Sequence, residues 1–235
     1  MAPFFILTCN ADTEDDTVLR VAAATNFERA MTGLEREFEA QSGYDVQVSY
    51  GSSGKLYAQI RAGAPFDVFL SADQHRADAL QDIASGPAFI YAYGTLVLWA
   101  KDDRLAYNRE KILEKGRFRK IAMANPDLAP YGYAAMQVIA NLGLQDNLKD
   151  KIVTAENVGQ TYALVATGNA ELGFIANTYL NTAGGTSWLI PPDLYTPIAQ
   201  KAVQITETKA ADAFTEYLQS EPAKAIIRAR GYDSP

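Results

Sequence analysis

Apolar positions follow two rhythms along this chain: short unbroken runs, and longer stretches with a period near that of a helix. Val18–Ala24 reads as a buried strand. Phe27–Ala40 reads as an amphipathic helix, with Phe27, Ala30, Met31, Leu34 and Phe38 on one face. Gly43 ends it, Asp45–Tyr50 alternates as the next strand, and Lys55–Ala62 forms a short helix stopped by Gly63 and Pro65. Phe66–Leu70 is strand-like, and Ser71-Ala-Asp-Gln74 has the spacing of a capping box ahead of a helix Gln74–Asp82. This β-α-β-α-β order is that of a parallel doubly wound sheet, whose strand-to-helix loops gather at the carboxyl edge, where ligands bind.

The hydrophobic, aromatic run Phe89–Lys101, interrupted by Gly94, is not another unit of the same kind. Beyond it the pattern restarts: strand Lys120–Ala124, loop Asn125–Tyr131, helix Gly132–Asn141, strand Lys151–Thr154, helix Val158–Thr167, strand Leu172–Ala176. Trp188–Pro192 reads as a loop. A second extended run, Gln200–Thr206, precedes helices Ala210–Gln219 and Pro222–Arg230, with a proline suited to a first turn. The expectation is an α/β protein of two lobes, residues 17–95 with 203–235 and residues 96–202, each with its own doubly wound sheet. Two crossovers would join them as a hinge that closes on a ligand.

Four small polar loops each sit between a strand and a helix: Thr25-Asn26, Gly51-Ser52-Ser53-Gly54, Pro130-Tyr131-Gly132 and Asn157-Val158-Gly159. Helix N-termini leave backbone N–H groups unpaired and carry partial positive charge, so several aimed at one point make an anion site without metal or cationic side chain. Each loop also has an ordinary reading. Thr25-Asn-Phe-Glu28 fits a capping box, Gly51–Gly54 a plain turn, and Tyr131 an aromatic lid over the core.

Composition narrows the chemistry. A formal charge of −7 argues against a nucleic-acid partner and offers an anion no long-range attraction. One cysteine, Cys9, excludes an internal disulfide, and one histidine, His75, in a polar helical start, argues against a zinc site or a Ser-His-Asp triad. Gly51–Lys55 is not a phosphate loop, because Leu56 follows Lys55. A hydrolase using Ser52 or Ser53 as nucleophile lacks a nearby histidine and a Gly-x-Ser-x-Gly elbow. Met1–Asp16 reads as the remnant of an export signal with an acidic leader, Cys9 lying near a cleavage or lipidation point.

Ala22-Ala-Ala-Thr-Asn26, Tyr50-Gly-Ser-Ser-Gly54, Gly63-Ala-Pro-Phe-Asp-Val-Phe-Leu-Ser-Ala-Asp73, Asn125-Pro followed by Ala129-Pro-Tyr-Gly132, Asn157-Val-Gly-Gln160 and Leu172-Gly-Phe-Ile175 occur in order. Together they resemble the periplasmic molybdate-binding proteins of bacterial ABC importers, from about Val18 to Tyr232. The resemblance implies a type II periplasmic binding protein fold and no enzymatic activity or cofactor. It implies molybdate or tungstate held between the lobes by neutral donors, with no direct bond from protein to metal, and sulfate as the alternative oxyanion. The implied partners are a membrane permease and a separate ATPase, and the implied setting a monomer in the periplasm, with lipid anchoring open. Carried over by position, Thr25, Asn26, Ser53, Tyr131 and Val158 are the ligand residues, the last two through backbone N–H. Where many members place a tyrosine hydroxyl, this chain has Ala176; members of the Thr-Asn branch lack it too, with Asn26 supplying a donor.

Overall fold

The structure is a computed structural model that describes residues 17–106 and 109–235; the leader expected over residues 1–16 lies outside them. In chain order the elements are β1 (Val18–Ala24), a 3-10 turn (Thr25–Phe27), α1 (Glu28–Ser42), β2 (Asp45–Gly51), α2 (Ser53–Arg61), β3 (Val68–Ser71), α3 (Gln74–Asp78) and β4 (Phe89–Gly94). There follow β5 (Leu96–Ala100), α4 (Arg109–Lys115), β6 (Ile121–Ala124), α5 (Pro130–Asn141), α6 (Gln145–Leu148), β7 (Ile152–Ala155), α7 (Val158–Ala166) and β8 (Leu172–Ala176). The chain ends with α8 (Leu180–Ala183), β9 (Thr186–Leu189), β10 (Ile198–Gln204), α9 (Lys209–Leu218) and α10 (Glu221–Ala229).

These strands form two five-stranded sheets, ordered β2-β1-β3-β10-β4 and β7-β6-β8-β5-β9. Each has a parallel core of three strands, as the β-α pattern requires, extended by two antiparallel strands, so both sheets are mixed. The run Phe89–Lys101 is divided between them. β4 closes the first sheet against β10, and after Thr95 β5 enters the second. β10 belongs wholly to the first sheet, so the return passage precedes Ile198.

Both faces of the first sheet are covered, as a doubly wound sheet demands. Leu19, Val21 and Ala23 of β1 pack with Phe27, Met31, Leu34, Phe38 and Phe214, while Ala22 faces Leu56, Ile60, Phe69 and Leu80. The second lobe is one continuous core around Trp99, Ile121, Met123, Val138, Leu172 and Phe174.

Two local expectations are corrected. The cap of α3 is Asp73, whose carboxylate accepts from Arg76 N at 2.7 Å, while Ser71 Oγ accepts from Asp73 N. The helix also stops at Asp78 rather than Asp82. Part of the stretch read as a loop, Trp188–Leu189, belongs to β9, which pairs with β5 opposite Leu98.

Candidate anion-binding cleft

Parallel pairing sets the loops in place. β1 and β2 run in register to Ala24 opposite Gly51, and β6 and β7 to Ala124 opposite Ala155, so each sheet releases two loops from a level carboxyl edge. Contacts then link the four loops into a ring. Thr25 Oγ1 donates to Gly51 O at 3.0 Å, tying the first loop to the second. Gly54 N donates to Leu128 O at 2.9 Å, tying the second to the third across the lobes. Asn125 N donates to Ala155 O at 2.7 Å, tying the third to the start of the fourth. The ring closes where Gly159 meets Thr25 so tightly that a Cβ on the glycine would stand 2.6 Å from Thr25 Cγ2.

The capping box that Thr25-Asn-Phe-Glu28 also fits does not form: Thr25 spends its hydroxyl on Gly51, and the turn has no side-chain cap. Ser53 opens α2, is 1% exposed, and its Oγ accepts from Ala72 N at 2.9 Å, which leaves the hydroxyl proton to donate. Its neighbour Ser52 is the cap, accepting from Lys55 N. Tyr131 and Val158 are buried in the first turns of α5 and α7, where a helix supplies no acceptor for their N–H groups. Asn157 caps α7 by accepting from Gln160 N at 2.9 Å.

Asn26 is buried, but its carboxamide faces inward. Nδ2 donates to Gln200 Oε1 and to Tyr232 Oη, both at 2.9 Å. The donor it retains for a ligand is its backbone N–H, in the 3-10 turn. Its carbonyl accepts from Tyr232 Oη at 2.6 Å and from Thr178 Oγ1 at 3.3 Å, and Thr25 O accepts from Tyr179 Oη at 3.3 Å. Ala176 ends β8, and Tyr179, three residues on, is the tyrosine that reaches the first loop. Burial pushes the hydroxyls of Tyr91, Tyr131, Tyr179 and Tyr232 above the ordinary tyrosine range, so they stay protonated donors at neutral pH.

Nearby basic side chains are engaged elsewhere. Lys55 Nζ, exposed, bridges to Glu156 of the other lobe at 3.0 Å. Arg76 pairs with Asp73 and donates to Asp127 O at 2.6 Å. Arg29 lies over the rings of Tyr162 and Tyr179, 5.9 and 5.0 Å from their centres. Two open grooves flank the ring of loops. One, of about 630 Å³, includes Gly54, Ala72, His75, Arg76, Leu128 and Tyr133; the other, of about 550 Å³, includes Thr25, Arg29, Asn157, Gly159 and Tyr179. Sequence reasoning missed Gln200, Tyr232, Tyr91 and Thr178, which sit behind the first loop; Gln200 is 0% exposed, but beside Lys201 in β10 nothing in the sequence marks it as buried.

Two sheets joined by two passages, with polar loops meeting between them, define a two-lobed solute-binding protein. The chain belongs to the bacterial extracellular solute-binding protein family, which it matches over residues 19–233, and within it to the ModA type. It is 40% identical to the molybdate-binding protein ModA of Azotobacter vinelandii, across 97% of this chain and 93% of the relative. It is also 40% identical to the ModA of Rhodobacter capsulatus, across 90% and 86%. The solved periplasmic molybdate-binding protein of A. vinelandii superposes with a TM-score of 0.88 at 41% identity, covering 92% of this chain and 99% of that one. A sulfate-binding protein of Mycobacterium tuberculosis, at 14% identity and a TM-score of 0.76, shares the fold alone.

Proposed function

We propose that this protein captures molybdate between its lobes, outside the cytoplasmic membrane, and delivers it to an ABC importer. The observation that carries the reading is the ring of four loops, two from each sheet, held together by the Thr25–Gly51, Gly54–Leu128, Asn125–Ala155 and Gly159–Thr25 contacts, with Ser53, Tyr131 and Val158 buried in the first turns of their helices. Relatives named for molybdate at 40% identity support the same ligand. The ligand residues of this reading are Thr25, Asn26, Ser53, Tyr131 and Val158. Thr25 shapes the turn through Gly51, Asn26, Tyr131 and Val158 offer backbone N–H, and Ser53 adds its hydroxyl. Tungstate, of the same shape and charge, is taken as well. The importer pairs a permease with a separate ATPase, the protein works as a monomer in the periplasm, and Cys9 is where a lipid anchor would attach.

Neutral donors suit a fully ionised oxyanion. Each hydrogen bond to a charged oxygen contributes roughly 1.5–3 kcal/mol, and several together offset the cost of drying a dianion. A protonated phosphate would leave its own O–H without an acceptor. Sulfate carries the same charge as molybdate, so the ring's radius must reject it by size. Thermal-shift and calorimetric titrations with molybdate, tungstate, sulfate and phosphate test this: saturable stabilisation by the first two, rising with concentration, is expected. Equal response to sulfate, or no response to any of the four, would overturn the assignment.

A further inference from the structure

The geometry points to Gln200 and the Tyr131 hydroxyl as a positioning pair that ties the ligand-binding turns to the hinge. Gln200 is 0% exposed in β10, the strand by which the chain re-enters the first sheet. Its Oε1 accepts from Asn26 Nδ2 at 2.9 Å and from Tyr91 Oη at 3.1 Å, both in the first lobe. With the oxygen so fixed, Nε2 must face the other way, and it donates to Tyr131 Oη of the second lobe at 3.4 Å. The β10–β4 pairing shifts register between Gln200 and Lys201, the kind of irregularity that re-aims a side chain.

Tyr131 meets the hinge a second time. Its hydroxyl lies against Gly94, the last residue of β4 before the passage to β5, so closely that a Cβ there would stand 2.2 Å from Oη and 2.8 Å from Gln200 Nε2. The two strands of the first sheet that border the passages, β4 through Gly94 and β10 through Gln200, therefore both bear on one phenol, while the same residue's backbone N–H lies in the first turn of α5 at the ring of loops. Parting the lobes pulls the phenol off Gln200 and Gly94; a ligand on the N–H holds it there. Gln200 also holds Asn26, so the first loop and the second-lobe helix share one carboxamide.

The test separates this role from ligand identity, because only its kinetic arm rests on the oxyanion reading. Spin labels at Arg36→Cys and Lys149→Cys, with Cys9→Ser, report the interlobe distance in the parent, in Tyr131→Phe, which keeps ring and N–H, and in Gln200→Met. Without anion, both variants are expected to shift toward longer distances. Molybdate dissociation should quicken by about fivefold in Tyr131→Phe, as loss of one buried hydrogen bond implies, with association changed by less than about twofold. The double variant should dissociate no faster than Gln200→Met alone, since the two act as a unit. Unchanged distances with unchanged dissociation in Tyr131→Phe would overturn the pair, as would additive effects in the double variant. Should the parent not bind molybdate, the ligand assignment falls and the ligand-free distances decide the hinge role alone.

Discussion

The two lobes repeat one plan and use it differently. In each sheet the first parallel strand is flanked by the second and third, and the fourth place is taken by a strand that enters from the other lobe, β10 in one and β5 in the other. Each releases two loops at a level edge. The first lobe locks its loops from within: Thr25 to Gly51, Ser53 to Ala72, Asn26 to Gln200 and Tyr232. The second lobe offers backbone N–H groups, caps α7 with Asn157, and reaches the first lobe through Tyr131, Thr178 and Tyr179. One half is braced from within, and the other is tied across to it.

Changing donors sharpens that contrast. Ser53→Ala removes a side-chain donor and leaves Ala72 N unpaired, so calorimetry should show molybdate affinity falling by about ten- to a hundredfold. In the second lobe the donor is main chain, which proline can delete. Val158 is the first residue of α7, and Asn157 before it is extended at φ −147° and ψ 173°, a conformation that accepts a following proline. Val158→Pro should weaken binding about tenfold, whereas Val158→Ala, which keeps the N–H, should bind within about twofold of the parent. Equal losses in both would mean that the side chain, not the amide, matters there.

Smaller effects concern pH and the cleft's mouth. No carboxylate or amine belongs to the proposed ligand set, so affinity should stay flat from about pH 6 to 9. Burial raises the tyrosine hydroxyls, Tyr217 to about 12, so the folded state holds protons that the unfolded chain releases. Stability is thus complete below the ordinary tyrosine pKa and should decline as pH climbs past 10, read as a falling melting temperature. Least of all, Lys55→Ala breaks an exposed interlobe pair, and affinity should move by less than about twofold.

Much of this was readable from the chain. β8 falls where its apolar run predicts, and the four strand-loop-helix junctions are where the small polar residues mark them. Side-chain partners across long sequence distances were not readable. Thr25 has capping spacing, yet its hydroxyl goes to Gly51, because parallel pairing brings that carbonyl alongside. Asn26 finds Gln200 and Tyr232, residues whose places depend on the return of β10 and of the C-terminal segment. β9 went unseen because Thr186–Leu189 is a short, half-exposed edge strand between paired glycines and paired prolines, whose turn chemistry hides it.

The most direct test is a crystal structure of the protein with molybdate. The expected result places one tetrahedral anion, free of water, with oxygens within hydrogen-bond distance of Ser53 Oγ and of the backbone N–H groups of Asn26, Tyr131 and Val158. An anion held by Arg76, Arg29 or Lys55, or touched by one lobe only, would contradict it.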